Sequence, residues 1–134
     1  MTLEYAVEKT VSIDEFRSLL RASGLAARRP VDEPERLEAM LRNANVVVTA
    51  RLDGDLVGIA RSVSDFAFCC YLSDLAVSRE AQGRGIGARL IEETRLHVGP
   101  TVSVILSSVP EATGFYEKIK MAPLPNCFWH RRQR

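Results

Sequence analysis

SREAQGRGIGARL, residues 78–90, places Gly83, Gly85 and Gly87 at alternate positions, with Gln82 before them and Arg84 between the first two. A glycine in the opening turn of a helix costs about 1 kcal/mol relative to alanine, so three of them need a reason beyond folding. A strand ending at Val77, a short turn and a helix opening within Arg84–Ala88 would bring free backbone N–H groups to the positive end of a helix dipole. That arrangement suits phosphate. Without side chains at 83, 85 and 87 a bulky pyrophosphate can reach the main chain of Ile86 and Ala88, and Gln82 and Arg84 add side-chain donors.

Three rival readings are weaker. Gly83, Gly85 and Ala88 satisfy G-x-G-x-x-A, but the dinucleotide fold asks for an acid at the end of the next strand, and TVSVILSS (101–108) has none. The G-K-[ST] of the nucleotide-hydrolase phosphate loop is absent. A purely structural turn needs one or two glycines, not three.

Upstream, LEYAVEK (3–9) alternates like a strand. SIDEFRSLLRASG (12–24) follows as a helix, with Ser12 and Glu15 in capping-box register, Phe16, Leu19 and Leu20 on one face and Gly24 as its stop. AARRPVDEPE (26–35) reads as a loop. PERLEAMLRNA (34–44) is a second helix, with Pro34 in its first turn, Leu37, Met40 and Leu41 inward, and an end near Asn43 or Asn45. NVVVTARLDGDLVGIARSV (45–63) is a hairpin about Asp53-Gly54. A turn at Ser64-Asp65 leads into the long strand FAFCCYLSDLAVS (66–78).

Downstream, Ile86, Leu90 and Ile91 give a helical face ending at Gly99-Pro100, and TVSVILSS reads as a buried strand. PEATGFYEKIKM (110–121) opens a helix at Pro110, and NCFWHRR (126–132) reads as a closing strand. The order β-α-α-β-β-β-α-β-α-β, with no repeat or linker, predicts one α/β domain over residues 1–134, a mixed, mostly antiparallel sheet flanked by helices.

Eighteen basic and seventeen acidic residues leave a formal charge of +1, too little field to hold nucleic acid or an anionic membrane. The first ten residues lack the apolar core of a signal peptide, so the expected location is the cytoplasm. Cys69, Cys70 and Cys127 have neither disulfide nor metal-ligand spacing, read as buried thiols, and imply no metal. His97 and His130 lack a nucleophile-elbow context and read as surface or packing residues.

LSDLAVSREAQGRGIGARLIE (72–92) resembles the cofactor segment of the GNAT superfamily of acetyl-CoA-dependent N-acyltransferases, whose [QR]-x-x-G-x-[GA] falls here on Gln82, Gly85 and Gly87. EATGFYEKIKM (111–121) resembles the superfamily's second signature, A-x-x-F-Y-E-K-x-G-F, at Ala112, Phe115, Tyr116, Glu117 and Lys118. Two signatures in the right order are far more specific than either alone. The resemblance implies an N-acetyltransferase with acetyl-CoA, held as coenzyme A in a splay between the strand ending near Val77 and TVSVILSS. It further implies cofactor contacts from Leu75, Ala76 and Val77 through backbone, from Gln82 to Ala88, and from Phe115 and Lys118. Two positions depart from the pattern: Val109 stands where the family often has asparagine, and Lys120 where it has glycine.

Acetyl transfer needs a proton for the departing thiolate and a route for the amine's proton. Tyr116, matching the family's tyrosine, is the expected donor, since a phenol of pKa about 10 stays protonated at neutral pH. Asp74 is the candidate base, against a structural role for its carboxylate; strand alternation sets it on the face opposite Tyr71, Ser73 and Leu75. Arg28, Arg29, Asp32 and Glu33 lie in a loop that in the superfamily often covers the acceptor, and read more simply as a solvated loop. The expected acceptor is a small-molecule primary amine; a protein lysine, or a coenzyme A-binding module without turnover, are the alternatives. A homodimer stays open.

Overall fold

The computed structural model describes all 134 residues. Five strands, β1 (Leu3–Val7), β2 (Val46–Leu52), β3 (Asp55–Ser64), β4 (Cys69–Val77) and β5 (Ser103–Ile105), lie in the order β1-β2-β3-β4-β5. All neighbours are antiparallel except β4 and β5, which run parallel. Helices α1 (Ile13–Ser23) and α2 (Pro34–Asn43) cover one face, and α3 (Ile86–Val98) covers the other. The short α4 (Thr113–Lys118) follows β5 and packs at the edge of the α3 layer.

Local chemistry sets these boundaries as expected. Ser12 and Glu15 form a reciprocal capping box at the start of α1, Phe16, Leu19 and Leu20 are buried, and Gly24 ends the helix at φ +88°. Asp53 and Gly54 both take positive φ, 51° and 90°, as a two-residue hairpin turn between β2 and β3 demands. On the α3 face Val46, Val48, Ala60, Leu72 and Leu90 share one core; on the α1 face Phe16, Leu20, Leu37, Val47 and Ile59 share a second.

An ion-pair cluster ties α1 to the sheet. Arg51 donates to Glu8 at 2.9 and 3.0 Å and to Glu15 at 2.6 Å. The Arg51 guanidinium, with the Ser12 N–H, holds the Glu15 carboxyl down at about 2, against an ordinary 4.5. A folded-state pKa below the unfolded value gives stability that is present above about pH 4.5 and lost as pH falls toward 2. Glu15→Gln is therefore expected to lower the urea midpoint at neutral pH and to lose less of it on acidification than the parent chain. Equal slopes of midpoint against pH in the two proteins would remove Glu15 from the acid response.

Three expectations are corrected here. NCFWHRR forms no strand: residues 122–134, which include Pro123 and Pro125, are irregular and exposed and pair with neither edge of the sheet. TVSVILSS is not buried; only Ser103–Ile105 is paired, and it is the outermost strand. Of the three thiols only Cys70 is buried, its pKa pushed up by that burial. Cys69 alternates with it to the open face, and Cys127 lies in the exposed terminal segment.

Candidate active site

The parallel pairing of β4 with β5 stops at Tyr71↔Ile105, while β4 runs on to Val77. Beyond that point the chain after β5 leaves β4, and a groove opens with Leu72, Ser73 and Leu75 on one wall and Leu106, Ser107 and Val109 on the other. Leu25 and Arg29, from the turn after α1, and Ala112 and Tyr116, from the α4 region, complete it. Leu75, Ala76 and Val77 thus lie on the stretch of β4 with no strand on its β5 side.

At the end of β4 the glycine turn adopts the conformation its composition suggests. Gly83 and Gly85 are left-handed, at φ +83° and +77°, and a Cβ at either would meet nothing within 4 Å. Gly85 caps α3 without any side-chain bond, and the first turn of α3 carries no acid. From Gly83 to Ala88 no backbone N–H finds a backbone acceptor, the first bond of the helix being Arg89 N–H to the Gly85 carbonyl at 3.1 Å. The contrast with α1, whose first turn is filled by Ser12, Asp14 and Glu15, marks this helix start as one left open to an anion.

The glycines and their neighbours do different work. Gly87 is buried, and a Cβ there would lie 3.0 Å from Phe115 Cζ, so its missing side chain makes room for the aromatic ring rather than for a ligand. Gln82 donates from Nε2 to the Val77 carbonyl at 3.0 Å, tying the turn to the strand end. Ile86 points into the core and Ala88 is half-buried. Arg84 and Lys118 are exposed, and neither has an ion-pair partner.

Phe115, seated on Gly87, fixes α4 against the start of α3, and its ring meets Tyr116 edge-on at 5.0 Å. Tyr116 is thereby directed to the groove. Burial raises its pKa above the ordinary 10, so the neutral phenol is favoured. After α4, Lys120 takes φ +66°, the left-handed conformation for which glycine is better suited, so the turn persists with a strained residue.

Asp74 is fully buried and held between two guanidiniums. Arg29 Nε reaches one oxygen at 2.5 Å and Arg61 Nε binds the other. Arg29 also donates to the Ser73 carbonyl at 2.8 Å, and Arg61 to that of Met40 at 3.0 Å. Ser73 is an extra residue on β4, because Arg61 pairs with Asp74 while Ser62 pairs with Leu72. This bulge resets the alternation: Cys70, Leu72 and Leu75 pack toward α3, Asp74 and Ala76 toward α1. The placement of Asp74 opposite Leu75 stands, but Tyr71 shares its face.

Sequence reasoning missed this triad. Its signal was Arg61, a charge inside the apolar run LVGIARSV, which burial obliges to find an acid. Asp74→Asn strands both guanidiniums and is expected to cost about 3–5 kcal/mol in the urea unfolding free energy. A loss under about 1 kcal/mol would show that the pair contributes little.

The loop residues divide. Arg29 lines the groove, and Arg28 forms an exposed pair with Glu111 at 3.2 Å, joining the turn after α1 to the segment before α4. Asp32 and Glu33 stay on the surface, as a solvated loop implies.

A family model described as an acetyltransferase (GNAT) domain matches residues 21–120. The uncharacterized N-acetyltransferase ycf52 of Pyropia yezoensis is 25% identical over 92% of this chain and 75% of its own length. The GNAT family acetyltransferase SP0256 from Streptococcus pneumoniae TIGR4 has the same fold, with a TM-score of 0.76 over 98% of this chain and 100% of that one, at 23% identity. The aminoglycoside N-acetyltransferase AAC(6')-Iy in complex with CoA superimposes with a TM-score of 0.73 over 99% and 96% of the two chains, at 15% identity.

Proposed function

The chain belongs to the GNAT acetyltransferase family, and on that premise we propose that it moves an acetyl group from acetyl-CoA to the primary amine of a small molecule by direct attack. One observation carries the reading: β4 runs past its last pairing with β5 along a groove that Tyr116 lines, and the chain then passes directly into the open glycine turn and the start of α3.

The residues fit a coenzyme A thioester. The free N–H groups from Gly83 to Ala88 suit its pyrophosphate, with Arg84 as a neighbouring cation. The bare side of β4 along Leu75, Ala76 and Val77 suits an extended amide-bearing arm, which would add to the sheet like a strand. Phe115 serves by positioning α4, and Lys118 is free to meet a phosphate. When bound, acetyl-CoA supplies the thioester carbonyl that the amine attacks. Tyr116 holds a proton at Oη and can give it to the leaving sulfur, and main-chain N–H groups of β4 stabilise charge on the carbonyl oxygen.

Asp74 is assigned to architecture instead of base catalysis. Both its oxygens are engaged by arginine, and its work is to fix the bulge at Ser73 and the Arg29 wall of the groove. The amine's proton then leaves through water at the groove mouth, and kcat/KM rises with pH as the free amine accumulates.

An amine panel offered with acetyl-CoA, followed by release of the free thiol, tests the function. Turnover with at least one small primary amine is expected. Coenzyme A binding with no turnover on any amine would make the chain a binding module, and acetylation confined to a folded protein would overturn the small acceptor.

A further inference from the structure

Arg29, Arg61 and Asp74 set two positive charges against one negative. Asp74 and Arg61 are buried, and neither arginine has a second acid within ion-pair distance. Their remaining acceptors are the main-chain carbonyls of Arg28, Ser73 and Met40, which are dipoles without net charge. The cluster therefore keeps one positive charge in excess, at a place shielded enough from water for that charge to act strongly on whatever binds beside it.

The excess charge has one outlet. Arg61 is shut in against α2, whereas Arg29 keeps 21% of its side chain exposed and lines the groove with Tyr116. Arg29 spends Nε–H on Asp74, one Nη1–H on the Arg28 carbonyl and one Nη2–H on the Ser73 carbonyl, so each terminal nitrogen keeps one N–H unused. It is the single charged residue among those lining the groove, and Glu111, beside Ala112 of the lining, is already engaged by Arg28 at 3.2 Å. The glycine turn follows Val77, at the other end of β4 from Ser73. A group held by Arg29 at Ser73 therefore lies across Leu75 from the pyrophosphate, on the side left for the acceptor.

Resting on the reading of this groove as an acetyl-transfer site, we propose that the acceptor is a small primary amine that also bears a carboxylate, such as a free amino acid, and that Arg29 selects it. A carboxylate neutralises the excess charge and matches the spare N–H groups of a planar guanidinium. The same charge disfavours an ammonium, which helps to keep the bound amine in the neutral form that attacks. Diamines and other multiply cationic amines meet repulsion, with no acid in the lining to receive the second cation.

Matched acceptors test the selection. Amino acids from glycine to γ-aminobutyrate are each compared with the alkylamine and the diamine of the same length, with kcat/KM referred to the neutral amine present. At least one amino acid should exceed its alkylamine by ~10-fold or more, with the diamine below both. Arg29→Met leaves Asp74 paired one to one with Arg61, so no charge is stranded and the fold should hold, which urea unfolding checks. In that variant the preference should vanish through a raised KM for the amino acid, while the alkylamine keeps its rate. Alkylamines used as well as or better than every amino acid by the parent chain overturn the proposal, whether or not Arg29→Met folds, and leave the acetyltransferase reading standing. An equal loss for both acceptors in folded Arg29→Met also overturns it, because Arg29 would then serve the thioester and not the carboxylate. No turnover with any amine overturns both readings.

Discussion

Gly85→Glu is expected to weaken coenzyme A binding by ~10²-fold or more while the protein stays folded. The position is left-handed, at φ +77°, and an added Cβ meets no atom within 4 Å, so the new side chain projects into open space at the helix start. Backbone strain costs about 1–2 kcal/mol for a residue with a Cβ in this conformation. A carboxylate at the α3 N-terminus returns about 0.3–1 kcal/mol of that, because it caps the N–H groups an anion would otherwise use. The same carboxylate would occupy the pyrophosphate position and repel it. Gly85→Ala separates the two effects, sharing the strain without the charge, and should bind only a few-fold more weakly. Calorimetric titration with coenzyme A checks both, and unchanged affinity in folded Gly85→Glu would falsify the cradle.

What the sequence made legible follows the range of the physics involved. Local signals transferred almost unchanged: the Ser12–Glu15 capping box, the Asp53-Gly54 turn and the stop at Gly24 each depend on a few adjacent residues, and each stands where the spacing put it. The glycine turn was also local, but its parts were not separable from sequence. Gly87 looked like a third cradle glycine, and only the long-range approach of Phe115 shows that its missing Cβ admits a ring. The partners of Asp74 were out of reach for the same reason. Its environment is made by Arg29, 45 residues away in sequence, and Arg61, 13 away, and by a bulge that no periodicity announces. The terminal strand failed because β-propensity states what a segment can do, not whether the chain before it, here with Pro123 and Pro125, delivers it to an edge in register.

Tyr116→Phe is expected to lower kcat by roughly 10² or more with little change in coenzyme A affinity. The substitution keeps the ring, and with it the edge-on contact to Phe115 at 5.0 Å, so the docking of α4 on Gly87 should survive. It removes only an O–H that has no partner in the protein, and a donor with no structural bond to lose leaves stability nearly untouched. Burial holds the phenol's pKa above 10, so the neutral, proton-bearing form dominates through about pH 6 to 9 and the parent enzyme should show no alkaline loss of kcat there from this group. The pH-rate profile of Tyr116→Phe should therefore fall as a whole and keep its shape, while the rise of kcat/KM with pH persists because it belongs to the amine. Single-turnover kinetics in the acetyl-transfer step, measured for both proteins with the best amine from the panel, decide the matter. Equal rate constants would reduce Tyr116 to a wall of the groove, and a loss confined to coenzyme A affinity would make its hydroxyl a binding contact instead of a proton donor.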